Sequence, residues 1–497
     1  MADEIEVIVD DHKLTKELTP PPIVTTHGRR RITIPLTKDQ LTNETIIQYL
    51  DHVLHVHSLN AVEMIGLHNY VNGDQPILNK VRPTQDGNSN SIVMENHASF
   101  MMKFKKGFMY GADLLYSISD DTCQKAVSLL NKYLKDAHKN TLDEMKAHDV
   151  YSGGMANRLI LPRKGKFNVQ KQAPFTLYNL DYDSSFVVYS SCYTKEKLFG
   201  GIISCIGKDE YELVIYTHDM AYYYDLDKSM NHFTVRRLKY MIPHHIGLCP
   251  IVQYYCDPSY MSPIETVAPI LDSLNSVSSN CLDSIIDYVN SILLIKNARI
   301  PDGKLSEIKK NGAMELLTND PNKPATAEFL ANPLNMADVQ QRYESLLKAA
   351  YDIAGVPRPS GNVTSGGDTG QARLLGGGWE CAEIVGDDEE KCLRIGETEE
   401  LEIILQICRK TSNCPITELF TSDIEVKFTR NKSDNLLVKA QALKYFYDMG
   451  MPYEIGLTLS NITSTPHEVA TVWETNFKHQ NIANTPLVPN KEISDSE

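Results

Sequence analysis

The sequence predicts an α+β protein, mainly helical, and three observations carry that class. Two helical segments, Ser262–Ile295 and Asn335–Ala354, bracket a loop rich in lysine, glycine and proline. Between Ala173 and Asp225 the apolar period changes to two, the signature of strands. A long helical region then follows a glycine-rich run at 361–370 and continues to about Lys410.

The first segment opens Ser262-Pro263-Ile264-Glu265: a hydroxyl N-cap, a proline at the first helical position and a glutamate three residues on. Its seam alternates threes and fours through Ile264, Val267, Leu271, Leu274, Ser278, Cys281, Ile285, Tyr288 and Ile292. Pro269 removes a backbone donor inside the pattern, so a kink or fresh start is expected there. The second segment starts at Asn335, runs through Val339, Tyr343, Leu346, Ala350 and Ile353, and stops at Gly355-Val356-Pro357. Narrow seams suit helices packed on neighbouring helices, although an antiparallel pair inside one domain gives the same pattern.

At 497 residues, with 42% hydrophobic and 23% charged, the chain has material for two to four domains. The formal net charge is −15, against the basic excess of proteins that grip nucleic acid through phosphates. The ten cysteines form no Cys-x-x-Cys pair, which fits a reduced, cytoplasmic setting, and no apolar run is long enough to span a membrane.

In chain order, residues 1–35 read as an arm: an acidic start, Pro20-Pro21-Pro22, then the basic patch Arg29-Arg30-Arg31, expected to be solvated or to meet a neighbouring subunit. Thr37-Lys38-Asp39-Gln40 matches a capping box ahead of a helical face from Leu41 to Leu54; His52, His55 and His57 on it read as surface histidines. A further helix follows Ile92–Phe100, and 120–149 reads as two amphipathic helices. Ser185–Tyr193, Leu198–Ile206, Tyr211–Thr217 and Met220–Asp225 read as an antiparallel meander, and Ile246–Tyr255, with Pro250 inside, as an edge-type strand. The region from 370 is expected to bend at Gly376-Gly377-Gly378. Asp423–Arg430 reads as a strand, and Leu436–Met449 and Thr465–Lys478 as helices.

No active site or cofactor motif stands out. After Gly370 come Gln371-Ala372, not the Lys-Ser/Thr that a phosphate-binding loop needs. Glu383–Glu402 carries nine acids against two bases, and Asp387-Asp388-Glu389-Glu390 within it would have to converge to hold a divalent ion. Consecutive helical residues diverge, so a solvated acidic face is expected.

Several stretches together resemble the portal proteins of tailed bacteriophages, over about residues 36–475. They are Asn69-Tyr70-Val71-Asn72-Gly73 with Pro76-Ile77-Leu78, Ile92–Phe100 with Gly107-Phe108-Met109-Tyr110-Gly111, and Gly247-Leu248-Cys249-Pro250-Ile251-Val252 before Leu271-Asp272-Ser273-Leu274-Asn275. Ser365-Gly366-Gly367-Asp368-Thr369-Gly370-Gln371-Ala372, running into Trp379 and Glu383, is the most specific match, and Val426-Lys427-Phe428-Thr429-Arg430-Asn431 is the last. The resemblance implies a homo-oligomeric ring, typically dodecameric, at one vertex of the virion capsid, assembled in the host cytoplasm with the major capsid and scaffolding proteins. Double-stranded DNA would be pumped through it by a terminase, whose large subunit docks on the ring, and later released through head–tail adaptor proteins.

Carried onto this chain, the resemblance makes 1–35 an N-terminal arm, 36–260 a wing, 261–296 and 335–355 the stem helices and 297–334 the clip. It makes 356–369 the tunnel loop, 370–411 a long helix to the crown, 412–478 the crown and 479–497 a tail. Arg358, Asn362, Thr364 and Ser365 of the tunnel loop would meet DNA, and Lys304, Lys309 and Lys310 of the clip would dock terminase and adaptor. No catalytic residue, cofactor, metal or membrane is implied. The alternatives are another phage head structural protein, or a metal-dependent nucleic-acid enzyme working through the acidic clusters.

Overall fold

The computed structural model describes residues 28–473 apart from 82–88, 119–122, 209, 230–231, 290–291, 297, 300–316, 319–325, 331–334, 359–377, 431–435, 461–468 and 471. The last helix read from the sequence, Thr465–Lys478, lies mostly outside these residues.

The arm read over 1–35 is already part of the fold at Gly28. β1 (Ile32–Ile34) pairs in parallel with a later strand, and Arg29, only 3% exposed, reaches Glu63 at 3.1 Å and Glu265 at 2.7 Å. Arg29 is thus spent inside the chain, because a buried guanidinium needs matched carboxylates, while Arg30 and Arg31 stay exposed. The capping box at Thr37 is present but closes only a short 3-10 turn; α1 (Asn43–Asn72) starts after it, with Thr42 accepting from the Thr45 N–H. His52 and His55 are exposed on α1, whereas His57 is buried with Nε2 3.0 Å from the Asp183 carbonyl, against the surface reading. Asn96 caps α2 (His97–Tyr110). After β2 (Leu115–Ser117) come α3 (Gln124–Asp136) and α4 (Lys139–Gly153).

The period-two region builds two sheets. β3 (Met155–Pro162) and β4 (Phe175–Leu180) form a three-stranded sheet with β10 (Ile251–Tyr255), which starts right after Pro250 and sits at the edge. β5 (Ser185–Ser190), β6 (Lys197–Gly207), β7 (Glu210–Tyr216), β8 (Met220–Ser229) and β9 (His232–Pro243) follow in antiparallel order, with β1 beside β5. The sheet packs on the apolar stripe of α1, where Ile46, Leu50, Val53 and Leu54 meet Phe186, Val188, Leu213 and Ile215.

α5 (Pro263–Val289) corrects the helix read over 261–296: it ends at Val289, and β11 (Ile292–Lys296) follows as a strand. Ile292-Leu293-Leu294-Ile295 offers no polar face for a helix, but suits a strand in register with Thr326–Leu330. Nor does Pro269 end the helix, which runs through it. β12 (Ala298–Arg299) pairs with β13 (Leu317–Thr318), and β14 (Thr326–Leu330) with β11, before α6 (Met336–Ala354), capped by Asn335 and closed by Gly355 at φ +60°. α7 (Trp379–Lys410) begins beyond Gly378, whose left-handed φ of +84° cannot continue a helix; the bend read at the triple glycine is, at its last residue, a helix start. β15 (Glu425–Lys427) pairs with β2, and α8 (Leu436–Asp448) and α9 (Tyr453–Ser460) follow. The largest core joins α2, α4, α5, α7, β3 and β10. No helix among the described residues is long and apolar enough to cross a membrane.

Candidate functional site

The geometry that bears on function is a pair of helices with a loop at each end. α5 and α6 pack on each other, and the seam predicted for α5 is buried at Ile264, Val267, Leu271 and Leu274. Below Leu274 the expectation fails: Ile285 is 46% exposed, and the buried residues are Asn275, Ser279 and Asp283. These polar side chains face the extended segment 91–95, which lies along the helix and hydrogen-bonds to all three. Ser278 donates to Glu95 at 2.6 Å, and Tyr343 of α6 donates to the same carboxylate, so 91–95 is held by both helices. The hydrogen bonds from Ser278, Tyr343 and His97, with the nearby charge of His97, keep Glu95 below the usual glutamate range despite partial burial.

At one end of the pair the chain leaves α5 and re-enters α6 as an antiparallel ribbon, β11 with β14 and then β12 with β13. Lys304, Lys309 and Lys310 follow β12 and lie outside the described residues. At the other end, the ends of the 359–377 segment stand together. A Cβ added to Gly378 would sit 3.7 Å from the Pro357 Cα, one on Gly355 would sit 2.9 Å from Val385, and Cys381 Sγ is 3.6 Å from the Asp352 carbonyl. Whatever path 359–377 takes, it starts and finishes at one place. Arg358 is exposed at that base; Asn362, Thr364 and Ser365 lie outside the described residues.

α7 is tied to the body by charges that the sequence reading placed in solvent. Glu389, Glu397 and Glu400 are buried, at 7%, 0% and 1% exposure. Glu397 accepts from Lys139 at 2.8 Å and from Lys146; Glu400 pairs with Arg158 at 2.9 Å and accepts from the Tyr254 hydroxyl. Asp143 completes the group, 2.9 Å from Lys139, 3.1 Å from Lys146 and 2.7 Å from Arg158. Burial alone would raise its pKa, but three adjacent cations hold it well below the usual aspartate range. Asp143, Glu397 and Glu400 are spaced closely enough for a metal, yet three cations already neutralise these three carboxylates, so the cluster is a closed ion network. The run 387–390 does not converge: Glu389 turns inward to Lys105 at 2.6 Å, Asp387 and Glu390 each lie 2.5 Å from Arg430, and Asp388 faces solvent with Lys391. The buried acids meet partners from α2, α4 and β3, far away in sequence, and no local pattern on α7 signals them.

The model of the family described as "Phage portal protein, SPP1 Gp6-like" matches residues 50–374. The chain belongs to this family. It is a structural protein of the bacteriophage virion. The match runs from α1 through both helices of the pair and into the glycine-rich segment at their base. Among solved structures, this portal protein is similar to a chain of the "Neck of empty GTA particle computed with C6 symmetry", at 12% identity and a TM-score of 0.43, covering 81% of this chain and 94% of that one. A chain of the "Virion of native gene transfer agent (GTA) particle" is similar at 11% identity and a TM-score of 0.39, with the same coverage. No curated protein matches.

Proposed function

We propose that this portal protein assembles as a homo-oligomeric ring, dodecameric as is typical of its family, at one vertex of the capsid, and forms the channel through which double-stranded DNA is packaged and ejected. The family match over 50–374 is the observation that carries the reading. In it, 36–260 is the wing, α5 and α6 are the stem, the ribbon with 297–334 is the clip, 356–369 is the tunnel loop and the segments after α7 are the crown. The base at Pro357 and Gly378 supports the tunnel-loop reading, because the two flanks of the segment stand side by side at the end of the stem.

Arg358, Asn362, Thr364 and Ser365 then face DNA, and mostly uncharged contacts to phosphates are ones that translocation can break cheaply. Lys304, Lys309 and Lys310 dock the terminase large subunit and later the head–tail adaptor. A chain of net charge −15 suits a channel that must not hold DNA tightly. Assembly with major capsid and scaffolding proteins takes place in the host cytoplasm. Negative-stain electron microscopy with mass by light scattering tests the reading. Rings with a central hole and a mass near twelve chains support it; a compact dimer that never closes into rings and has metal-dependent nuclease activity overturns it.

A further inference from the structure

Where α1 packs on α4, His68 meets His148 and Asp149. The His68 side chain is 4% exposed, and its Nε2 is a buried nitrogen with no hydrogen-bond partner. Such an atom is costly to bury if nothing fills its lone pair or takes its proton. Asp149 Oδ1 stands 4.0 Å from that nitrogen, too far for a hydrogen bond, and 3.4 Å from His148 Nδ1. The donor atoms of all three residues lie within 4.8 Å of one another.

The surroundings favour a cation. The His68 ring stacks on Tyr182 with centroids 3.8 Å apart and planes 4° apart, and Asp149, Asp181 and Asp183 all stand near Tyr182, adding to burial in raising its pKa. Space beside the nitrogen is kept by a missing side chain: a Cβ on Gly153 would come within 3.1 Å of His68 Nε2.

We propose that His68, His148 and Asp149 form a binding site for a divalent transition metal of the zinc type, with water in the fourth position. Two imidazoles and one carboxylate are a donor set that zinc accepts in tetrahedral geometry, at about 2.0–2.2 Å from each ligand. Magnesium, which prefers oxygen donors, is disfavoured. His148 and Asp149 are only half-buried and can draw inward around an ion while His68 stays fixed by its stack on Tyr182. A bound ion joins α1 to α4 and satisfies the orphaned nitrogen. The His52/His55 pair on the exposed side of α1 has no part in it.

The test is calorimetric titration of zinc chloride into untagged full-length protein stripped with a chelator, followed by thermal melts. The expected result is one zinc per chain and a higher Tm with zinc but not with magnesium. His148→Ala and Asp149→Asn, which remove half-exposed side chains, each weaken that binding by at least about tenfold and abolish the zinc-dependent rise in Tm, while their metal-free Tm and that of the His52→Ala control stay unchanged. The absence of a saturable site at one zinc per chain overturns the proposal. So does wild-type affinity in both variants, which would place the zinc on the cysteines instead.

Discussion

The backbone N–H of Val93 donates to the Ser279 hydroxyl at 3.0 Å, and it is the middle rung of three. Ser91 donates to Asp283 at 2.5 Å and Glu95 to Asn275 at 2.8 Å. Every second amide of the extended segment thus meets every fourth residue of α5. The two repeats nearly coincide, since two extended residues rise about 6.7 Å and four helical residues about 6.0 Å. A segment outside any sheet can therefore lie along a helix for three rungs. Ser279→Ala, which strands the Val93 amide, is expected to cost about 1–3 kcal/mol by urea denaturation and to speed hydrogen exchange in 91–95. An unchanged exchange rate there would show that water replaces the hydroxyl.

Removing one partner from the buried ion network leaves a charge without a counterpart. Glu397→Ala, which leaves the three cations Lys139, Lys146 and Arg158 facing only Asp143 and Glu400, should cost about 3–5 kcal/mol. Adding Lys146→Met to it should cost less than the two single changes summed, because the second removes the cation that the first left in excess. Urea midpoints of the two single variants and the double variant measure this; simple additivity would contradict it.

Burial pushes the Glu265 carboxyl up to about 7 from an ordinary value of 4.5, although Arg29 pulls it down. Between those values the folded chain keeps a proton that the unfolded chain has released. This group's contribution to stability is therefore complete below pH 4.5 and is lost as pH rises through 7. Glu265→Gln cannot titrate. Its Tm relative to the wild type should climb by about a few degrees between pH 5 and pH 8, and a constant difference would refute the assignment.

Two glycines of α7 exist for contact. A Cβ on Gly396 would come within 2.5 Å of the Tyr254 ring, and one on Gly386 within 2.9 Å of Phe108. Gly396→Ala should cost about 1–3 kcal/mol through overpacking. Gly107→Ala, in α2 with nothing within 4 Å, should be neutral or stabilise by about 0.5–1 kcal/mol. Thermal melts of the pair separate packing from propensity.

These examples mark what could be read from the sequence. Ends fixed by local chemistry were legible where the chain announces them: Asn335 and Gly355 bound α6 as their side-chain and backbone preferences require, whereas the helix read after Ile92–Phe100 already starts at His97 behind the cap Asn96. What depended on distant partners was not. Nothing near Arg29 in sequence announces Glu265, nothing near Glu397 announces Lys139, and the three polar residues on the buried face of α5 look like defects in an apolar seam until 91–95 is laid against them. Ile292–Ile295 failed for another reason: four consecutive apolar residues fit either period, and the partner strand that decides between them comes later in the chain.

The Arg29–Glu265 bond spans 236 positions, and this has a consequence for biosynthesis. During translation the first strand emerges long before the helix whose first turn supplies half of its ionic partnership. Until then Arg29 lacks Glu265, and β1 has no β5 to pair with, since that strand is also still to be made. The beginning of the chain is thus among the last parts to settle, and its docking reports that the ribosome has passed the start of α5. A nascent chain stalled before that point would leave β1 and its cation in water, where a chaperone can recognise them as unfinished.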